Sequence, residues 1–121
     1  MVIDSNILIG YLNGDAAIIE TLNNWKKDSR VLLISTVSFA EVLSYPLLAE
    51  KDIREAKEFL SAFVSIPFDD ILAEKATYFR RVHKLTLTDS GIAATAFTYR
   101  VPLITRDKQF QKVKEITVIE I

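Results

Sequence analysis

The sequence has no cysteine and only one histidine, His83, among its 121 residues. Without cysteine, the chain can form neither a disulfide framework nor a zinc site built on thiolates. A single histidine argues against an imidazole-rich metal site as well. Any metal ion bound by this chain would therefore be held by oxygen ligands.

Long apolar runs and an excess of charge of either sign are also missing. Fifteen Lys and Arg residues against sixteen Asp and Glu residues give a net charge of −1, so any phosphate binding must be local. No stretch approaches the roughly 18–20 apolar residues that span a bilayer. Asp4 also interrupts the first residues before a signal-like apolar segment can form. These features predict a soluble protein of the cytoplasm.

Glycine and proline are scarce, with three of each, and no linker, repeat or low-complexity tract divides the chain. Hydrophobic residues make up 50% of the sequence, and the mean hydropathy is +0.20. A chain of this length and composition can bury a substantial core. We therefore predict one domain over residues 1–121.

Short apolar runs alternate with helical patterns along the chain. The runs predict strands over residues 2–3, 31–34, 64–68, 101–104 and 117–121, the last at an edge. Helical spacing predicts a helix after Asp4, another beginning near Asp52, and four more over residues 16–27, 35–45, 70–83 and 91–99. This alternation predicts an α/β fold, a three-layer α/β/α domain with a central, mainly parallel sheet of about five strands.

Four acidic residues stand where strands end or in the helices that follow: Asp4, Glu41, Asp89 and Asp107. Right-handed crossovers bring the carboxyl ends of parallel strands to one edge of the sheet, where ligands bind. Two unit charges about 4 Å apart repel by roughly 4 kcal/mol at an effective dielectric near 20. Such a cluster needs protons or cations, and oxygen ligands select Mg²⁺ or Mn²⁺.

Each acid also has a structural interpretation. Asp4 and Asp89 are both candidates for helix N-caps, a role that contributes about 1 kcal/mol. Glu41 fits the last position of a capping box that begins at Ser38, and Asp107 is a candidate turn residue. Taken singly, each of these interpretations is as good as the catalytic one. Their common position at one edge of the sheet favours a metal site.

The chain resembles the PIN-domain ribonucleases, in particular the VapC-type toxins of toxin–antitoxin pairs. The segments that carry the resemblance are residues 2–9, 38–43, 87–96 and 102–110. The resemblance implies a PIN-like domain in which Asp4, Glu41, Asp89 and Asp107 are both the catalytic residues and the ligands of Mg²⁺ or Mn²⁺. It also implies that water attacks the RNA phosphodiester and leaves 5′-phosphate and 3′-hydroxyl ends.

The same resemblance makes Ser5, Asn6 and Thr105 candidates for orienting the carboxylates or bound water, with helix capping and turn formation as the alternative. Ser5 replaces a threonine that the family often carries and keeps its hydroxyl. Gln109 stands where many members have another aspartate. This departure leaves Asp107 as the only acid of the last motif and argues against strong binding of a second ion.

Four basic residues are candidates for binding the RNA backbone: Arg80, Arg81, Arg106 and Lys108. Solvated helix charge is the alternative interpretation for Arg80 and Arg81. The resemblance further implies a homodimer and a cognate antitoxin that covers the helices near the active site. We expect part of the segment 45–63 to form that contact, although burial in the core is the default for its apolar residues.

Other functions remain compatible with the sequence. A solitary PIN-domain RNA-processing nuclease would use the same acids, and a non-catalytic RNA-binding PIN domain would have lost them. A phosphatase of the haloacid-dehalogenase type is also acidic and Mg²⁺-dependent. That chemistry usually places a second aspartate two residues after the nucleophile, where this chain has Asn6.

Overall fold

The computed structural model describes residues 1–45 and 50–121. In this part of the chain, five parallel strands form one sheet in the order β3-β2-β1-β4-β5. The strands are β1 (Val2–Ile3), β2 (Leu33–Ser35), β3 (Val64–Ile66), β4 (Leu103–Ile104) and β5 (Val118–Ile119). The predicted α/β fold with a parallel central sheet is confirmed, and β5 lies at an edge as expected.

Helices connect the strands and cover both faces of the sheet. They are α1 (Ser5–Leu12), α2 (Ala16–Lys27), α3 (Thr36–Leu43), α4 (Glu50–Leu60), α5 (Asp70–His83) and α6 (Leu87–Tyr99), with a 3₁₀ helix at Lys108–Lys112. Side chains alternate between the two faces of a strand, so the strands divide the core into two clusters. Val2 and Leu103 pack with α5 and α6, whereas Ile3 and Ile104 pack with α1, α2 and α4. These two clusters make the domain three layers deep.

Most element positions follow the apolar pattern, and the differences occur at the ends. Helices α2 and α5 coincide with their predicted ranges. Strand β2 begins two residues later than predicted, because Val31 is 63% exposed and lies outside the sheet. Helix α3 ends at Leu43, before the predicted stop at residue 45. The sequence predicts that Pro46 ends this helix, because the residue before a proline disfavours the helical conformation, but Pro46 lies outside the described residues.

Helix α6 begins at Leu87 rather than near Gly91, because the Thr86 side chain caps it by accepting the N–H of Asp89. Its small residues are buried against the sheet and its neighbours, and a Cβ added at Gly91 would lie 3.1 Å from the Phe68 ring. This close packing fixes the start of α6 beside the carboxyl ends of the strands. No helix in the described residues is long and apolar enough to span a membrane.

Candidate active site

Asp4 lies between the end of β1 and the start of α1, and it is only 3% exposed. Its Oδ1 accepts the N–H of Ser5 at 2.7 Å, and its Oδ2 accepts the hydroxyl of Thr105 at 2.7 Å. Burial raises the pKa of Asp4 from 3.8 to about 6; the two hydrogen bonds oppose this rise, and the charges of Asp89 and Glu41 add to it. The ionised carboxylate is therefore destabilised, a cost that a bound cation would relieve.

The hydroxyl of Thr105, just beyond β4, joins three parts of the site. It donates to Asp4 Oδ2, accepts from Asn6 Nδ2 at 3.2 Å, and accepts the N–H of Asp107 at 2.9 Å. The Oδ1 of Asn6 in turn accepts the N–H of Arg106 at 3.4 Å. Thr105 is buried, so this network holds the loop after β4 against the start of α1.

Glu41 reaches the same site from α3. The hydroxyl of Ser5 donates to Glu41 Oε1 at 3.0 Å. Burial raises the pKa of Glu41, the bond from Ser5 opposes the rise, and the charge of Asp89 adds to it. The capping-box interpretation is wrong, because Ser35 caps α3 by accepting the N–H of Val37 at 3.1 Å and Glu41 lies well inside the helix.

Asp89 lies in the first turn of α6, and burial raises its pKa. The charge of Asp107 raises this pKa further, while a hydrogen bond with Thr86 lowers it. Asp89 is not the N-cap of the helix, because Thr86 holds that position. By contrast, the N-cap interpretation of Asp4 is confirmed, and this position is what directs its carboxylate into the site.

Asp107 follows Thr105 and caps the 3₁₀ helix, since its Oδ1 accepts the N–H of Gln109 at 3.0 Å. The turn interpretation of Asp107 is therefore confirmed. Its charge nonetheless acts on Asp89, so the capping role and a place in the acidic cluster are compatible. Pairwise electrostatic interactions thus link Asp4 to Glu41 and Asp89, and Asp89 to Asp107.

The described residues contain no set of three or more acidic or histidine side chains arranged as a ready-made metal site. The carboxylates are close enough to raise one another's pKa but are not gathered at ligand distance. Their chemistry nonetheless fits a hard divalent cation, because all donors are oxygens and their mutual repulsion needs a positive charge. Their assignment as ligands stays a prediction.

Replacing Thr105 with valine is expected to raise the pKa of Asp4 still further. The Thr105 hydroxyl stabilises the ionised carboxylate, and it is a larger cause of lowering than the backbone bond from Ser5. Carboxyl carbon NMR of the metal-free protein would follow the titration. Thr105→Ser, which keeps the hydroxyl, is the matched control, and an unchanged pKa in the valine variant would contradict the assigned hydrogen bond.

The basic residues predicted to bind RNA have different surroundings. Arg106 donates from Nη1 to Asp15 Oδ2 at 2.7 Å and from Nε to the carbonyl of Ile121 at 2.7 Å. Lys108 is exposed at the start of the 3₁₀ helix, beside Asp107. Arg80 and Arg81 are exposed in the last turn of α5, a position that also fits the alternative interpretation as solvated charges of the helix. Their roles in RNA binding stay predictions.

The apolar residues of the segment 45–63 belong mostly to the core where they are described. Phe63 is buried, and the Phe59 ring stacks on Tyr11 with centroids 4.4 Å apart. Leu47 and Leu48 lie outside the described residues. A cavity of about 220 Å³ nevertheless opens between α1, α3 and α4, where Leu12 and Tyr45 form part of its lining.

Two partners of the site were not identified from the sequence. Thr86 caps α6 and contacts Asp89; the spacing of these two residues is itself a capping-box pattern that could have revealed the start of the helix. The other is Asp15, which its sequence position predicts to be a solvated charge at a helix end. It caps α2, but it also pairs with Arg106, and no local signal predicts that contact across the chain.

Comparison with known proteins places this arrangement in a family. The model of the PIN domain matches residues 1–116. Ribonuclease VapC10 of Mycobacterium tuberculosis is 34% identical over 110 residues, which cover 87% of this chain and 80% of that protein.

Solved structures give the same result. A toxin–antitoxin complex from Klebsiella pneumoniae contains a chain that is 31% identical, with a TM-score of 0.82 over 99% of this chain and 98% of that one. The DNA-bound VapBC of Salmonella typhimurium has a TM-score of 0.84 at 19% identity, over 98% of this chain and 96% of that one, and supports the fold alone. This chain therefore belongs to the PIN-domain family and, within it, to the VapC ribonucleases.

Proposed function

We propose that this protein is a divalent-metal-dependent endoribonuclease that hydrolyses RNA phosphodiesters with water. PIN-domain ribonucleases generally depend on a divalent metal ion. The observation that carries the proposal is the electrostatic linkage of Asp4, Glu41, Asp89 and Asp107, four acids brought together from β1, α3, α6 and the loop after β4.

In this proposal, the four acids hold Mg²⁺ or Mn²⁺. Such an ion, when bound, lowers the pKa of a water molecule and stabilises negative charge on the phosphate. Ser5 and Thr105 orient Asp4 through the hydrogen bonds described above, and Ser5 also positions Glu41. One of these carboxylates takes up the proton of the attacking water, and the leaving 3′ oxygen takes a proton from solvent. His83 is not available as the base, because its Nε2 lies 2.7 Å from Glu115 in another part of the molecule.

Cleavage of labelled RNA with and without a chelator tests this function directly. We expect cleavage with Mg²⁺ or Mn²⁺, loss of cleavage with EDTA, recovery when the metal is restored, and products with 5′-phosphate ends. Cleavage that persists in EDTA, or products with 2′,3′-cyclic phosphate ends, would contradict a metal-dependent attack by water.

Lys108 is proposed to bind the RNA backbone next to the acids. Lys108→Gln is expected to raise KM several-fold with little change in kcat and to reduce the salt dependence of binding by about one unit of slope. Asp15→Asn is a useful companion variant, because it frees Arg106 from its ion pair and is expected to strengthen RNA binding. Steady-state kinetics at several salt concentrations would measure both. Unchanged KM and salt dependence in Lys108→Gln would contradict the assignment.

We further propose that the protein is the toxin of a toxin–antitoxin pair and acts in the cytoplasm. Support comes from the 31% identical chain, whose structure is described as a toxin–antitoxin complex. The cavity between α1, α3 and α4 offers a place for an apolar side chain of an antitoxin. The homodimer implied by the family resemblance stays a prediction.

Copurification with the product of a neighbouring small open reading frame tests the antitoxin contact. Leu12 lines the cavity and is partly exposed, so Leu12→Lys is expected to weaken copurification while leaving RNA cleavage intact. Retained copurification would place the contact elsewhere, whereas an unfolded variant would show that Leu12 serves the core. The same variant measured for RNA cleavage separates these outcomes.

A further inference from the structure

A second cavity, of about 470 Å³, lies at the edge of the sheet opposite the acids. It is formed by the end of α6 and by the segments that lead into β4 and β5, at the amino ends of these parallel strands. Asp4 and Asp107 follow the carboxyl ends of β1 and β4, so the two sites face opposite edges. Cavities of this size are typical of small-ligand sites. The residues that matter here are Lys75, Phe97, Arg100 and Glu115.

The lining of the cavity carries two cations, Lys75 and Arg100, and one acid, Glu115. Lys75 and Arg100 take no part in the ion pairs of His83 with Glu115 and of Arg106 with Asp15. Glu115, the acid in the lining, is held by His83 at 2.7 Å. Lys75 and Arg100 can therefore attract an anion without first breaking an ion pair.

An aromatic surface completes the lining. Phe97 is 44% exposed, and its ring is supported from within by Phe79, with centroids 5.7 Å apart. The ammonium group of Lys75 lies 5.9 Å from the Phe97 ring centroid, so cation and ring are neighbours.

We propose that this cavity binds a nucleoside monophosphate. The phosphate dianion pairs with Lys75 and Arg100, and the planar base packs on the ring of Phe97. Stacking on an aromatic side chain accepts any base, because each base has a π face. The inference uses none of the four acids and does not depend on the proposed nuclease activity.

Titration of the whole protein with adenosine 5′-monophosphate, in EDTA and at low ionic strength, tests the proposal by amide NMR. We expect saturable binding, with shifts concentrated at Phe97, Arg100 and Thr117 and none at Asp4 or Thr105. Adenosine and inorganic phosphate should each bind at least about tenfold more weakly, because each lacks one half of the recognised chemistry. Benzoate, an aromatic carboxylate, should also bind more weakly than the nucleotide.

Two variants assign the binding to this cavity. Phe97→Leu removes the stacking face, and Arg100→Asn removes a cation while placing a tolerant residue at a backbone φ of 53°. Each should weaken nucleotide binding about tenfold and leave thermal stability and RNA cleavage as in the wild type. Unweakened binding in both variants, shifts at Asp4 instead, or equal binding of adenosine, phosphate or benzoate would each overturn the proposal.

Discussion

Asp4→Asn is expected to reduce RNA cleavage at least about a hundredfold while making the metal-free protein more stable at neutral pH. Activity falls because a neutral amide is a poorer cation ligand than a carboxylate and cannot take up a proton. Stability rises because Asp4 is 3% exposed and faces the charges of Glu41 and Asp89. Asparagine keeps the shape of the side chain and an oxygen that can accept the hydrogen bond from Ser5 or Thr105.

The size of the stability change follows from the pKa of Asp4, which is raised from 3.8 to about 6 in the folded protein. A shift of about two units corresponds to about 3 kcal/mol of unfavourable free energy in the ionised folded state. Loss of one charge-assisted hydrogen bond offsets part of this gain. We therefore expect the free energy of unfolding at pH 7 to rise by about 1–3 kcal/mol, measured by chemical denaturation in EDTA.

Asp69→Asn is the matched control for this substitution. Asp69 caps α5 by accepting the N–H of Leu72 at 3.0 Å, and it is exposed and distant in sequence from the four acids. Asparagine and aspartate are about equally good N-caps, so both activity and stability should stay near the wild-type values. If Asp4→Asn behaved like this control in both measurements, Asp4 would be a structural cap and nothing more.

The metal-free wild-type protein is expected to lose stability as the pH rises from about 4 to about 6–7. The pKa of Asp4, Glu41 and Asp89 is raised in each case, with burial as the largest cause. A carboxyl group with a raised pKa binds its proton more tightly in the folded state than in the unfolded state. The folded state is therefore favoured at acidic pH, and the advantage disappears once the pH passes the folded-state pKa values.

Two acids outside the site have lowered pKa values, so they stabilise the folded protein at higher pH rather than at acidic pH. Arg106 lowers the pKa of Asp15, and His83 lowers that of Glu115. The stability contributed by these two carboxylates is lost when the pH falls through their lowered pKa values, below the ordinary range for carboxyl groups. The maximum stability of the metal-free protein should therefore lie near about pH 4.

Mg²⁺ should reverse this pH dependence. At a concentration of about 100 Kd, a ligand stabilises the folded state by about 2.7 kcal/mol, and the effect should weaken at pH 5 because protons compete for the same oxygens. Thermal unfolding at pH 5 and 7.5, with EDTA or Mg²⁺, would measure both trends. Equal stabilisation by Mg²⁺ at the two pH values, or its persistence in Asp4→Asn, would contradict a site formed by these carboxylates.

Local patterns predicted the elements of the fold better than their ends. The apolar positions of α2 and α5 correspond to helices with the predicted bounds. Helix α6 has small apolar residues buried along most of its length and no single apolar stripe, so periodicity could not locate its beginning. The first turn of α6 begins where the Thr86 hydroxyl accepts the N–H of Asp89. Its first residue, Leu87, is 61% exposed and therefore gives no signal of burial.

The position of the acids could be predicted from the sequence, but most of the side-chain hydrogen bonds in and around the site could not. Asp4 and Asp107 follow strands, and the crossover rule alone brings strand ends to one edge. The pairing of Ser5 with Glu41, of Asn6 with Thr105, and of Arg106 with Asp15 joins segments that are far apart in sequence. No local propensity encodes such pairs. Ser5, Asn6 and Thr105 are predicted as site residues only by the family resemblance.

The most direct test of the central claim is Mg²⁺-dependent RNA cleavage by the wild type and by four folded variants: Asp4→Asn, Glu41→Gln, Asp89→Asn and Asp107→Asn. If the acids form one metal site, each variant should cleave at least about a hundredfold more slowly than the wild type, and Asp69→Asn should cleave normally. Near-wild-type cleavage by both Asp4→Asn and Asp89→Asn would contradict the account.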